Sequence, residues 1–164
     1  MFAVLDVETT ALCSGRHDRI VEIAVVRIDD ACRPVDEWVT LVNPERDLGP
    51  TSIHGITGRH VADAPTFAEV AGDVLARLAD AVVVGHNVRF DLTFVWAEFT
   101  RVGYQLPPSD GLCTLDLSAR LGHTLHFTGD SEKAWDRPRG ALAFADHLPT
   151  NLSAGGARGR AAAG

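Results

Sequence analysis

A chain of 164 residues, 46% hydrophobic and 23% charged, is long enough to bury one substantial core, so a single domain is expected. Fifteen Lys and Arg stand against 22 Asp and Glu, a net charge of -7, which argues against a broad basic surface for duplex nucleic acid. Local Arg clusters or bound divalent ions could still receive phosphates. Cys13, Cys32 and Cys113 are odd in number and form no Cys-x-x-Cys pair, so they suggest neither a disulfide framework nor a zinc module and fit a reducing cytoplasm. The chain enters an apolar stretch without a charged leader. It contains no run of about 18 apolar residues, so a soluble cytoplasmic protein with no membrane partner is expected.

In chain order, residues 1–7 read as a buried strand, and 9–18, with Gly15 and several polar residues, as the turn out of it. Residues 20–28 are apolar on both faces, Val21, Ile23 and Val25 on one and Ile20, Ala24, Val26 and Ile28 on the other, which places a strand inside a covered sheet. Residues 37–42 give a third strand, ended by Asn43-Pro44, and the short connections predict an antiparallel meander. Residues 47–59, with Gly49-Pro50, Gly55 and Gly58, read as a loop. A helix follows Asp63-Ala64-Pro65-Thr66, with Phe67, Val70, Val74, Leu75 and Leu78 as its core-facing stripe. Residues 81–84 form a short apolar strand, which the crossover helix should lay parallel to the first. Asn87 is then a candidate N-cap for a helix with Val88, Leu92, Val95 and Phe99 buried. Residues 122–138 are polar and turn-rich. Composition predicts a disordered Gly/Ala-rich tail over 149–164, leaving 1–148 as the domain.

Chemistry concentrates at two places. In Val4-Leu5-Asp6-Val7-Glu8-Thr9-Thr10, strand alternation puts Asp6 and Glu8 on one face, with Leu5 and Val7 on the other. Adjacent carboxylates raise each other's pKa unless a cation lies between them, and an all-oxygen site suits Mg or Mn rather than zinc. Taken alone, Asp-x-Glu also describes a strand that ends in solvated acids. The second place is Gly85-His86-Asn87-Val88-Arg89-Phe90-Asp91, which runs from a strand straight into a helix. If that strand lies beside the first, its carboxyl end opens next to Asp6 and Glu8, where ligands bind in such sheets, and Asp91 becomes a third acid. Taken alone, Asp91 is equally a first-turn acid favouring the helix dipole.

Together, Asp6-Val7-Glu8-Thr9-Thr10, His54-Gly55-Ile56-Thr57, and His86-Asn87 followed by Phe90-Asp91 resemble the DnaQ-like 3'-5' exonucleases of the DEDD group, in that family's order and spacing. An example is the proofreading epsilon subunit of bacterial DNA polymerase III. Leu112-Cys113-Thr114-Leu115 is similar to the family's next short strand, and the resemblance covers residues 1–122. It implies a ribonuclease-H-like α/β fold: a mixed sheet, antiparallel over its first three strands and then parallel, flanked by helices. It also implies two divalent ions, Mg or Mn, and removal of nucleotides from a single-stranded 3' end, with DNA favoured and a polymerase subunit as a possible partner. By the same resemblance Asp6 is a bridging metal ligand, Glu8 a ligand of the first ion and Asp91 of the second. Two ions about 3.5 to 4 Å apart suit an in-line displacement. Thr9 and Thr10 would contact the terminal nucleotide, while His54, Thr57, Asn87 and Phe90 would line its site.

The family completes its site with a C-terminal His base and, five residues later, a fourth acid. Here Arg139 and Phe144 occupy those places. Asp146 and His147 are nearby in the reverse order, and adjacent helical residues diverge by about 100 degrees, so they cannot simply replace a pair aimed into one cleft. His126 and Asp130 have the right order but are four apart in a stretch without helical periodicity. A missing base removes a contribution of about 10² to 10⁴-fold. Two functions are therefore carried forward, a 3'-5' exonuclease and an inactive module of the same fold that holds nucleic-acid ends or docks on a polymerase.

Overall fold

The computed structural model describes residues 1–49, 51–106 and 111–121. Five strands form one sheet in the order β3-β2-β1-β4-β5. The central strand β1 (Phe2–Thr9) runs antiparallel to β2 (Ile20–Ile28) along its whole length, from Phe2 opposite Ile28 to Thr9 opposite Ile20, with an irregularity between Glu8 and Thr9. β3 (Pro34–Leu41) continues the meander as an edge strand. It starts earlier than the expected residue 37, because a proline is tolerated as the first residue of an edge strand. β4 (Val82–Gly85) pairs parallel with β1, and β5 (Leu112–Cys113) parallel with β4. The expected mixed sheet is thus present.

The stretch expected to be a plain loop carries two single-turn helices, α1 (Thr51–His54) and α2 (Gly58–Val61). One turn is too short to show a period in sequence. Tertiary burial holds both turns, with Leu48, Ile56 and Val61 packed on Val21. α3 (Phe67–Leu78) starts at Thr66, whose amide and hydroxyl both donate to Glu69 Oε2, at 2.7 and 2.9 Å, a reciprocal N-terminal cap. Phe67, Val70, Ala71 and Val74 are buried as a stripe, but Leu75 is 42% exposed and lies outside it.

α4 (Val88–Arg101) packs with α3 on one sheet face, where Val88, Leu92, Val95 and Phe99 join Ala3, Leu5, Val7, Ile23 and Val25 in the main core. The rings of Phe67 and Phe99 meet edge to face at 5.2 Å and join the two helices. The opposite face holds a smaller buried cluster of Val4, Ala24, Val26, Ile28 and Val84. Thr114, expected to continue the last strand, instead begins helix α5 (Thr114–Leu121).

A fully buried carboxylate anchors the far end of α4. Glu98 Oε1 accepts from Arg19 Nε at 2.7 Å and from the Ile20 amide at 3.3 Å, and lies 3.2 Å from Arg101 Nη1. Arg101 also donates to the Ser14 carbonyl at 3.0 Å, so the helix end, the β1–β2 turn and the start of β2 are fastened together. Among the described residues no helix is long and apolar enough to cross a membrane.

Candidate active site

The site begins where one face of β1 changes character. Phe2, Val4, Asp6 and Glu8 alternate onto a common face. Phe2 and Val4 belong to the smaller apolar cluster, whereas Asp6 is exposed and Glu8 half-buried. The last β1–β4 pair is Val4 with Val84, so the two parallel strands part just before the acids. Beyond that fork, the Val7 backbone amide donates to Asp91 Oδ1 at 3.0 Å. Asp91 lies in the first turn of α4 and is only 4% exposed. That hydrogen bond fastens the start of α4 to the backbone between Asp6 and Glu8.

The connection from β4 into α4 is built for this close approach. A Cβ on Gly85 would lie 3.1 Å from both the Leu5 carbonyl oxygen and a Val88 methyl, so the tight fit favours glycine there. Asn87 turns the chain with φ 64, a left-handed conformation that asparagine tolerates better than most residues. It therefore occupies the cap position without capping: its side chain makes no cap hydrogen bond, contrary to the sequence expectation.

The acids converge electrostatically. Burial first, then repulsion from Asp6, with a smaller push from Glu8, drives the Asp91 pKa up to about 8 against the lowering effect of the Val7 amide. Burial and then Asp6 push Glu8 up to about 7. Asp6 is exposed, yet neighbouring protein strips part of its hydration. Lost hydration raises its pKa, and His86 opposes the rise. His86 Nδ1 is 3.3 Å from the Thr114 hydroxyl, which donates to the Gly85 carbonyl at 3.3 Å.

A fourth acid belongs to this neighbourhood and was not singled out from sequence. Glu22 of β2 stands directly opposite Glu8 and is half-buried, and burial followed by Glu8 and Asp6 pushes its pKa up to about 7. The antiparallel register of β1 and β2 is the signal that identifies it.

The other candidates divide. The Thr9 hydroxyl donates to the Ala11 carbonyl at 2.8 Å, and its side chain is half-buried. Thr10 is fully buried: its hydroxyl accepts from the Arg19 amide at 3.1 Å and donates to Asp18 at 3.3 Å, so its side chain organises the turn. His54 is buried as a brace, with Nδ1 accepting from the Ile56 amide at 3.1 Å and Nε2 lying 3.3 Å from the Leu48 carbonyl. Both ring nitrogens are thereby engaged within the loop. Thr57 is exposed at the start of α2, its amide donating to His60 Nδ1 at 3.1 Å. Phe90 is half-buried against Phe94, ring centroids 4.9 Å apart, and packs on the main core. Asp146 and His147, like Arg139, Phe144, His126, Asp130 and the tail, lie outside the described residues.

Two apolar side chains stand exposed: Leu12 (83%), in the loop after β1, which the sequence reading did not single out, and Ile53 (70%), in α1 after the Gly49 loop, which that reading placed beside His54-Gly55. Gly49 joins the loops. It has φ +68 and sits so close to Thr10 that a Cβ would lie 1.9 Å from the Thr10 carbonyl oxygen.

The donor set of Asp6, Glu8 and Asp91 suits a hard divalent cation in kind, being all carboxylate oxygen and mutually repulsive. In arrangement it is looser: among the described residues no three His, Cys, Asp or Glu side chains are grouped closely enough to enclose a metal as they stand. One oxygen of Asp91 is engaged by Val7.

Comparison with known proteins agrees with this architecture. The exonuclease family model RNase_T matches residues 3–129. Among curated proteins, the chain is 36% identical over 120 residues to the 3'-5' exonuclease DinG of Bacillus subtilis, covering 71% of this chain and 13% of that protein. It is 40% identical over 131 residues to a DNA polymerase III subunit epsilon-like protein of Rhodobacter capsulatus, covering 76% and 19%. It is 37% identical over 122 residues to the PolC-type DNA polymerase III of Oceanobacillus iheyensis, covering 73% and 8%. The chain spans less than a fifth of the length of each. Among solved structures, E. coli exonuclease I in complex with a dT13 oligonucleotide superposes with a TM-score of 0.57 at 24% identity, over 63% of this chain and 24% of that one. A 3'-exonuclease described in recognition of a histone mRNA stem-loop gives 0.55 at 20%, over 65% and 55%. The fold is ribonuclease-H-like.

Proposed function

This chain belongs to the RNase_T exonuclease family, and from that premise we propose that it is a divalent-metal-dependent exonuclease domain that shortens single-stranded DNA from the 3' end, in proofreading or repair. The observation that carries the proposal is the Val7 amide to Asp91 Oδ1 hydrogen bond, which draws a third carboxylate from a distant helix to the Asp6–Glu8 pair. A strand that merely ended in solvated acids would have no reason to recruit it.

Asp6, Glu8 and Asp91 are the residues that would hold Mg or Mn. When bound there, such ions would supply charge stabilisation for the reacting oxygens of a phosphodiester. The protein's own part is to fix the acids on a rigid strand and helix start and to orient the chain end. The exposed Leu12 and Ile53 are candidate apolar faces for bases, and Thr9 and Asn87 candidate polar contacts to the terminal nucleotide. DNA is favoured over RNA by the polymerase III relatives, which also make a polymerase assembly the proposed partner.

A second reading rests on Arg139 and Phe144, which stand where the family carries its base and fourth acid. Under it, the same fold binds ends without cleaving them. Digestion of 5'-labelled single-stranded DNA with Mg or Mn, comparing the chain with Asp6→Asn, separates the two. The exonuclease gives a ladder shortened from the 3' end that needs both metal and Asp6. Binding without any ladder supports the module, and a ladder that survives Asp6→Asn rules out this site.

A further inference from the structure

A groove of about 730 Å³ runs between α4 and the β5–α5 segment. Buried Val88 and Leu92 form its floor, and a Cβ on Gly111 would lie 2.8 Å from a Val88 methyl, so glycine lets the chain entering β5 close against that floor. The walls are of another kind. Arg89 and half-buried Trp96 stand seven residues apart on α4, a spacing that returns to one helix face, and Asp116 and Arg120 come from α5. Both arginines are exposed, and among the described residues neither guanidinium has an ion pair or a hydrogen bond. Even Asp116, four residues before Arg120 on α5, forms no ion pair with it. Arg59 on α2 shares their condition, whereas Arg19, Arg33, Arg46, Arg77 and Arg101 pair with carboxylates and Arg27 donates to the Ala76 carbonyl. The groove opens at the end of the sheet that carries the acids. Gly85 pairs with Cys113 at the carboxyl ends of β4 and β5, and Arg89 shares the first turn of α4 with Asp91.

We propose that this groove binds the single strand upstream of its 3' end, with phosphates on Arg89 and Arg120 and a base stacked on Trp96. Charge complementarity selects this occupant: in a chain of net charge -7, two unpaired guanidiniums flanking an indole in one concavity match a polyanion that carries aromatic rings. The reach also suits a polymer, since about 10 Å of helix separates Arg89 from Trp96. The proposal rests on the exonuclease reading, in which the chain end reaches Asp6, Glu8 and Asp91. The preceding nucleotides then cross the start of α4 into the groove. Arg89, Trp96 and Arg120 contribute affinity for the strand and take no part in the chemistry.

The test is fluorescence anisotropy of the whole chain with a 5'-labelled single-stranded oligonucleotide whose 3'-terminal phosphorothioate resists hydrolysis, at constant MgCl2 and varied KCl. Wild type is compared with the double variant Arg89→Gln/Arg120→Gln, with Trp96→Leu, and with Arg33→Gln as a charge control. Arg33 follows β2, whose last residue lies opposite Phe2, and so stands at the far end of the sheet. Each phosphate contact to a single strand adds about 0.7 to the slope of log affinity against log salt, so the double variant is expected to lose about 1.4. Trp96→Leu should bind about tenfold more weakly at the wild-type slope. Arg33→Gln should match wild type. A wild-type slope in the double variant, or wild-type affinity in Trp96→Leu, overturns the proposal and leaves the groove to another occupant, such as a protein partner. An equal loss of slope in Arg33→Gln overturns it by reducing the effect to overall charge. The exonuclease reading survives each of these results if the wild-type ladder still requires Asp6. Absence of any binding by wild type removes both together.

Discussion

Asp91 carries two roles that substitution can separate. Its Oδ1 satisfies the Val7 amide, and its charge belongs to the acid group. Asp91→Asn retains an acceptor for Val7, so the fold is expected to persist while metal-dependent cleavage falls to background in the ladder assay. Asp91→Leu also strands a buried amide, at a cost of about 1 to 3 kcal/mol, measured by urea unfolding. The pH dependence has a definite sign. Asp91 goes from 3.8 to about 8 on folding, and Glu8 and Glu22 each from 4.5 to about 7. Across these intervals the native state holds more protons than the unfolded chain, so stability falls as pH rises. In chelator, the protein should melt progressively lower as pH is raised from about 5 to 8, with a flatter profile in Asp91→Asn. A profile rising over that range would contradict the placement of these acids. At this scale, strand alternation made Asp6 and Glu8 legible, and helix position made Asp91 legible. Glu22 was not, because only the cross-strand register pairs it with Glu8, and the bracing role of His54 depends on loop backbone that no residue pattern encodes.

Among the elements, α4 is held at both ends by carboxylates, Asp91 at the start and Glu98 near the finish. Glu98→Ala leaves Arg19 and the Ile20 amide without their acceptor. Breaking a buried pair of this kind costs about 3 to 5 kcal/mol, moderated here because Arg19 is partly exposed. A drop in the urea midpoint with unchanged slope is the expected result. Gly49→Ala works differently. Its Cβ cannot share space with the Thr10 carbonyl at 1.9 Å, so the loop carrying Ile53 must move away from the end of β1. Weaker binding of single-stranded DNA, with a smaller change in the rate at saturation, is expected from steady-state kinetics. The longer helices were legible because a stripe repeated over three or four turns outweighs local noise, although Leu75 fell outside the stripe. α1 and α2 were not, since a single turn shows no period.

For the whole molecule, the decisive quantity is charge. A chain at -7 that sets Asp6, Glu8, Glu22 and Asp91 close together repels a polyanion there, so under the proposed function nucleic-acid binding is expected to depend on bound cations. At matched ionic strength, Mg should tighten binding of a labelled single-stranded oligonucleotide relative to chelator. Fluorescence anisotropy measures this directly, and the gain should vanish in Asp6→Asn. Binding that is indifferent to Mg would assign recognition to other surfaces. The mixed sheet was legible because short connections predict an antiparallel meander and a crossover helix predicts a parallel strand, while the fold class came from the motif resemblance. The C-terminal portion was not, because residues 122–164 give neither a helical nor a strand period from which to place their acids and histidines.

The fork between β1 and β4 makes the site a matter of counting as well as chemistry. Three residue pairs separate the start of β4 from the point where the strands part, and Asp91 is reached only after the count is complete. Removing one valine from Val82-Val83-Val84 leaves the composition of that strand almost unchanged, yet withdraws the following turn by about 3.3 Å. Asp91 would then fall short of the Val7 amide. Such a deletion should abolish activity while the liganding side chains all remain in the sequence, whereas Val-to-Ile exchanges at the same places should be tolerated. The fold's tolerance here is to substitution and not to changes in length.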